Sequence, residues 1–216
     1  MRELNLLSRY PKGKRNTQLR LDKKAENKIL ASQFGREYFD GTREQGYGGY
    51  VYDGRWIPIA QDIVAEYGLR PGDRVLDVGC AKGFLVKDLM NVLPGLEVFG
   101  LDVSDYALMN CENEVIGRLH RGSASALPFP DSSFDLVLSI NTIHNLDVSG
   151  CLKALREIKR VSKRHCFVQV DSYRSEDERS AFLDWVLTAK THGTPDFWET
   201  LFLEADYTGD YFWTFV

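Results

Sequence analysis

The residues with most chemistry to offer sit around one short turn. Val75, Leu76 and Val78 form an apolar run, Asp77 lies inside it, and Gly79-Cys80-Ala81-Lys82-Gly83 follows. Gly79 and Gly83 carry no Cβ, so the backbone there can pass close to a ligand. A helix beginning near Gly83 would offer the free N–H groups of its first turn. A dinucleotide site wants G-x-G-x-x-G with a pyrophosphate on that helix end. Here the pattern is Asp-x-Gly-x-Ala-x-Gly, and an anion just before the turn repels a pyrophosphate while suiting a cationic amine. A second acid, Asp102, lies about 20 residues beyond the turn, where such folds place a carboxylate on ribose hydroxyls. A carboxylate suits that position because it only accepts hydrogen bonds and has two oxygens to do so. Its alternative role as a helix cap falls better to Ser104. His144 is the histidine that the chain order places at the same ligand edge. Near neutral pKa it can take a proton from an attacking hydroxyl. The other reading makes it structural, at the start of the helix near Asp147.

The elements that must hold these groups alternate. Ile57 to Tyr67 is amphipathic and stopped by Gly68, and Pro71-Gly72-Asp73 turns into the first strand. Phe84, Leu85, Val86, Leu89 and Met90 recur at helical spacing. Strands are expected at 97–102, 118–120, 136–140, 166–170 and 211–216, with helices at 106–111, along Leu152-Leu155-Ile158-Val161, after Arg174, and at 197–205. Strands alternating with helices predict an α/β fold: a Rossmann-like, doubly wound, mostly parallel sheet of about six strands with helices on both faces. The carboxyl edge of that sheet collects Asp77, Asp102, Ser139, Asn141, His144 and Tyr173.

Asp77-Val78-Gly79-Cys80-Ala81-Lys82-Gly83 resembles the first motif of the class I S-adenosylmethionine (SAM) dependent methyltransferases, in their small-molecule, UbiE-like branch. Ala81 stands where that family has glycine. Leu127-Pro128-Phe129-Pro130 and Ser133-Phe134-Asp135 resemble the family too, and the likeness covers residues 57–171. It implies SAM as cofactor, with S-adenosylhomocysteine as product. Asp77, Gly79, Ala81 and Gly83 would hold the methionine half and Asp102 the ribose, with Val103 beside it among the cofactor-binding residues. Ser123, where the family has an acid, and Ala124 would meet the adenine. Ser139 to Asn141 would floor the site, with His144 as base if the acceptor must lose a proton.

The chain has 216 residues, 44% hydrophobic and 27% charged, with a net charge of −4. That is an ordinary globular composition, and its acidity argues against a general nucleic-acid binder. Cys80, Cys111, Cys151 and Cys166 show no paired spacing and read as reduced thiols, with no metal site among them. No signal core or bilayer-length apolar run is present, so the expectation is a cytoplasmic protein working on a small molecule, away from membranes.

Residues 1–56 read as an N-terminal arm and lid, and 57–216 as the methyltransferase domain. The arm is basic through Arg9, Lys12, Lys14, Arg15, Arg20, Lys23, Lys24 and Lys28. It is read as a helical, solvated face running on from Leu19, or as an arm that collects an anion. Residues 37–56 mix glycines with Tyr38, Phe39, Tyr47, Tyr50 and Tyr52. This segment is read as a lid carrying Tyr47, Tyr50 and Arg55 to the acceptor, with Tyr173 opposite, or as a loop packed on the core. The expected acceptor is a hydroxyl of a sugar, nucleotide-sugar or natural-product intermediate. The alternatives are an RNA methyltransferase using the basic arm and an inactive SAM-binding partner subunit. The last strand is expected to pair parallel to the fifth, and its apolar edge to be covered by the arm or by the second subunit of a homodimer.

Overall fold

The computed structural model describes residues 1–11, 13 and 16–215. Lys12, Lys14 and Arg15 of the basic arm, and Val216 of the last strand, lie outside the described residues. Six strands form one sheet: β1 (Arg74–Val78), β2 (Glu97–Asp102), β3 (Leu119–Arg121), β4 (Phe134–Ile140), β5 (Ser162–Asp171) and β6 (Asp210–Thr214). Their order is β3-β2-β1-β4-β5-β6 and every neighbouring pair is parallel. The helices are α1 (Lys24–Ala31), α2 (Arg36–Asp40), α3 (Ile57–Glu66), α4 (Phe84–Val92), α5 (Asp105–Met109), α6 (Val148–Val161), α7 (Glu176–Trp185) and α8 (Pro195–Glu204). Parallel strands need crossovers that cover both faces, which is why their sequences are almost continuously apolar. One face buries Leu76, Val78, Val137, Val168 and Val170 under α6 and α8. The other buries Val75, Val98, Leu136, Leu138 and Phe167 under α3 and α4.

Local chemistry sets the helix starts. Ser104, Asp147, Ser175 and Thr194 each accept a backbone N–H from the first turn of α5, α6, α7 and α8. β6 lies parallel beside β5, as expected. Its outer edge is met by the chain's own beginning: Leu4 N donates to Tyr211 O at 2.9 Å and Tyr211 N to Arg2 O at 3.0 Å. Leu6, 2% exposed, is sunk in the α3–α4 core. The arm therefore covers the edge strand.

Two expectations about the arm change. No single helix runs on from Leu19: a 3-10 turn at Thr17–Arg20 and α1 are separated at Lys23, whose φ is 50°. Nor is the basic run simply solvated. Arg20 is 6% exposed. Its guanidinium donates to the carbonyls of Arg43, Gly46 and Trp185 at 3.1, 2.6 and 2.9 Å, and lies 3.7 Å above the Trp185 ring. A buried cation needs such partners, and three carbonyls together with an aromatic face supply them.

Candidate functional site

The turn after β1 is wound tightly. Gly79, Ala81 and Gly83 have φ of 87°, 50° and 77°. A Cβ on Gly79 would come within 2.0 Å of Thr142 Oγ1, so this glycine lets the β4 end close onto the turn. Ala81 occupies the left-handed region that an alanine enters only at a cost of roughly 1–2 kcal/mol. Its N–H donates to Asp102 Oδ2 at 2.8 Å, and Ser104 N donates to Asp102 Oδ1 at 2.8 Å. Asp102 thus fixes the turn to the end of β2. Burial raises its pKa, against the pull of these backbone donors.

Asp77 is 4% exposed. Its carboxyl has no hydrogen-bond partner among the described residues, and burial first, then the Asp102 charge, push it up to about 7. An orphaned buried carboxyl beside a second one suits a cation. Val103, next in chain, is 46% exposed and presents an apolar rim. Ser123 Oγ lies 2.9 Å from Ser125 Oγ in the loop after β3, and Ala124 is buried behind it. These features are of the kind SAM needs, a buried carboxyl for an amino group and a second one at the strand end for hydroxyls.

Residues 34–52 lie across this edge. The Tyr50 ring stacks on Phe84 at the start of α4, with centroids 4.7 Å apart and planes at 16°. Tyr47 contacts Tyr50 at 4.5 Å, and Tyr38 and Phe39 complete the cluster. Ser104 Oγ donates to Phe34 O at 2.5 Å. Asp40 accepts from Lys82 Nζ, Tyr106 Oη and Tyr50 N. Tyr47 and Tyr50 therefore sit on the ligand edge. Arg55 does not join them: it pairs with Asp53 in the turn before α3.

The acceptor side is built where β4, β5 and β6 end. Asn141, at φ 53°, is exposed; its N–H donates to Gln169 O at 2.8 Å and its Oδ1 accepts from Thr214 Oγ1 at 2.8 Å. Gln169 Nε2 donates to the same hydroxyl at 2.8 Å, and Ser139 Oγ is buried without a partner. His144, 4% exposed, follows in a 3-10 turn. Its Nδ1 accepts from Asp171 N at 3.1 Å, and its Nε2 lies 3.5 Å from Asp171 Oδ2. With Nδ1 as acceptor, Nε2 carries the proton and faces the carboxylate. His144 so joins the ends of β4 and β5, while Asp147 is the cap of α6. Tyr173, beyond β5, packs against Phe182 and His192 rather than against Tyr47 and Tyr50. Among the described residues no group of three or more His, Cys, Asp and Glu is placed to hold a metal ion, and no helix is long and apolar enough to cross a membrane. All four cysteines are free.

Sequence reasoning passed over Asp40, Lys82, Thr142 and Asp171 as individuals. Asp40 carried one signal, a lone acid closing a run of aromatics. The others are set by backbone approach, which spacing does not report.

The family profile described as "Methyltransferase domain" matches residues 76–168. A demethylmenaquinone methyltransferase of Symbiobacterium thermophilum is 34% identical over 141 residues, 61% of this chain and 55% of that protein. A 2-methyl-6-phytyl-1,4-hydroquinone methyltransferase of a Synechocystis species is 28% identical over 180 residues, 72% and 54% of the two chains. The chain thus spans about half the length of these curated relatives. A solved complex of the Haloferax volcanii Trm112 methyltransferase activator with a methyltransferase has the same fold, with a TM-score of 0.56 at 23% identity over 68% of this chain and 66% of that one.

Proposed function

The chain belongs to the class I SAM-dependent methyltransferases, and on that premise we propose that it methylates a small, flat ring acceptor of the phenol or hydroquinone class. One observation carries the cofactor half: the unpartnered carboxyl of Asp77 beside Asp102, under an aromatic cover. SAM, when bound, supplies an activated methyl group on a sulfonium. The protein's part is then position and exclusion of water. With SAM bound, Asp77 would hold the amine and Asp102 the ribose hydroxyls, and Val103, Ser123 and Ala124 would meet the base. Gly79, Ala81 and Gly83 shape the backbone cradle. Ser139 and Asn141 floor the acceptor side.

The acceptor expected from sequence is a hydroxyl of a sugar, nucleotide-sugar or natural-product intermediate. The lid argues for a ring instead, because Tyr38, Phe39, Tyr47 and Tyr50 offer flat aromatic area. The two relatives above are named for quinone and hydroquinone methylation, which supports the same class. A hydroxyl or ring carbon of such an acceptor must lose a proton. We assign that to Asp171. With Nδ1 accepting from Asp171 N and Nε2–H facing Asp171 Oδ2, His144 has no lone pair free, so the proton passes to the Asp171 carboxylate, which His144 orients.

RNA methylation is the weaker reading. Arg20 of the basic arm is buried on backbone carbonyls, and Arg2 and Arg9 are paired with Asp210 and Asp62, so part of the arm's charge is spent within the protein itself. Mass analysis after incubation with SAM and a panel of phenols, hydroquinones, sugars and nucleotide-sugars tests the proposal. A gain of one methyl on a phenol or hydroquinone is expected, and methyl on sugars alone would overturn the acceptor class.

A further inference from the structure

Lys82 is the polar member of the cofactor turn that the cofactor reading leaves without a task. Its side chain is 9% exposed. The ammonium donates to Asp40 Oδ2 at 2.7 Å, to Asp40 Oδ1 at 2.9 Å and to Tyr50 O at 2.9 Å. Asp40 in turn accepts from Tyr106 Oη at 2.7 Å and from Tyr50 N at 3.0 Å. One carboxylate therefore ties three separate pieces together: the lid at the end of α2 and at Tyr50, the turn through Lys82, and α5 through Tyr106. Burial alone would raise the pKa of Asp40, yet the donors from Lys82, Tyr106 and Tyr50 hold it below the usual carboxylate range.

The lid's other anchorage is of a different kind. Arg20 holds the carbonyls of Arg43 and Gly46 from the arm side, away from the turn. The segment between Asp40 and Tyr50 is bound to α2 by Tyr47 N to Tyr38 O at 2.8 Å and by Gly49 N to Phe39 O at 3.1 Å, so α2 and this glycine-rich segment can lift from the turn together once Asp40 lets go. We propose that Asp40 is the catch of a lid over the cofactor turn, and that breaking the Asp40–Lys82 pair is the step that admits SAM and releases S-adenosylhomocysteine. Asp40 is a positioning residue: it acts on the ligand through Lys82 and Tyr50. The release half rests on the methyltransferase reading, while the catch itself does not.

The test has two readouts on the full chain, with Asp40→Asn and Lys82→Met, and with Tyr106→Phe as the milder change should either fail to fold. The first is hydrogen exchange of residues 41–50 without ligand. The catch predicts exchange at least tenfold faster in the variants, with the α6 peptide unchanged as the control for global loosening. Unchanged exchange at 41–50, or equal acceleration in α6, would overturn it. The second is the dissociation rate of S-adenosylhomocysteine, expected about tenfold faster in Asp40→Asn and largely restored in Asp40→Glu. A rate within twofold of the parent in a variant whose lid exchange has risen would overturn the link to release. A parent protein that binds no S-adenosylhomocysteine would refute the methyltransferase reading, and lid exchange would still decide the catch.

Discussion

Asp77 should make cofactor binding depend on pH in a way no exposed aspartate would. Its folded pKa stands near 7, raised from 3.8 by burial and by the Asp102 charge. Between those values the folded, ligand-free protein binds a proton that the unfolded chain does not, so its stability falls as pH rises through that window. A cationic amine needs the ionised form. SAM affinity should therefore drop about tenfold per pH unit below 7 and level off above it. Titration from pH 5.5 to 8 checks this, and in Asp77→Asn the slope should vanish with weaker binding throughout. Asp102→Ala should cost about 2 kcal/mol of SAM binding through the lost ribose contacts. The structure shows Asp102 accepting from Ala81 N and Ser104 N, so Asp102→Ala should also lower stability by about 1–3 kcal/mol, measured by denaturant unfolding. The two acids and the glycine turn stood out in the sequence by residue type and spacing, and the structure brings Asp77, Asp102 and the turn together at one edge. The reason for Gly79 was not legible in the sequence, since Thr142 approaches it from a strand distant in sequence.

At the scale of elements, the strands were legible because parallel packing leaves long apolar runs. Boundaries slipped where that rule does not reach: β5 begins at Ser162, four residues before its apolar part, because its polar start pairs with Phe134 of β4. The arm was the least legible piece. A basic run usually means solvent, and only tertiary contact turns Arg20 into a buried clamp between lid and α7. Arg20→Met should lower stability by about 3 kcal/mol, as three carbonyls lose a charged donor, and should raise protease cleavage between residues 41 and 50. An unchanged melting temperature would show that the clamp is incidental. Removal of residues 1–7 should expose β6, with Phe212 behind it, and give concentration-dependent association in sedimentation. A monomeric truncated protein would contradict the edge-cover role.

Across the whole molecule, both faces of the sheet are buried and its carboxyl edge is left to the turn, the lid and the ends of β4 to β6. The ligand edge was predictable from topology alone, because strand order reverses between β1 and β4 next to the turn. What closes that edge depended on which loops reach it, and there composition gave only the material: aromatic rings and glycines. The central claim is that this edge binds SAM through Asp77 and Asp102. Calorimetric titration of SAM into the full chain at pH 7.5 tests it most directly. One site is predicted, with binding clearly weakened in folded Asp77→Asn and Asp102→Asn. A flat titration of the folded parent protein, or undiminished binding in both variants, would contradict it.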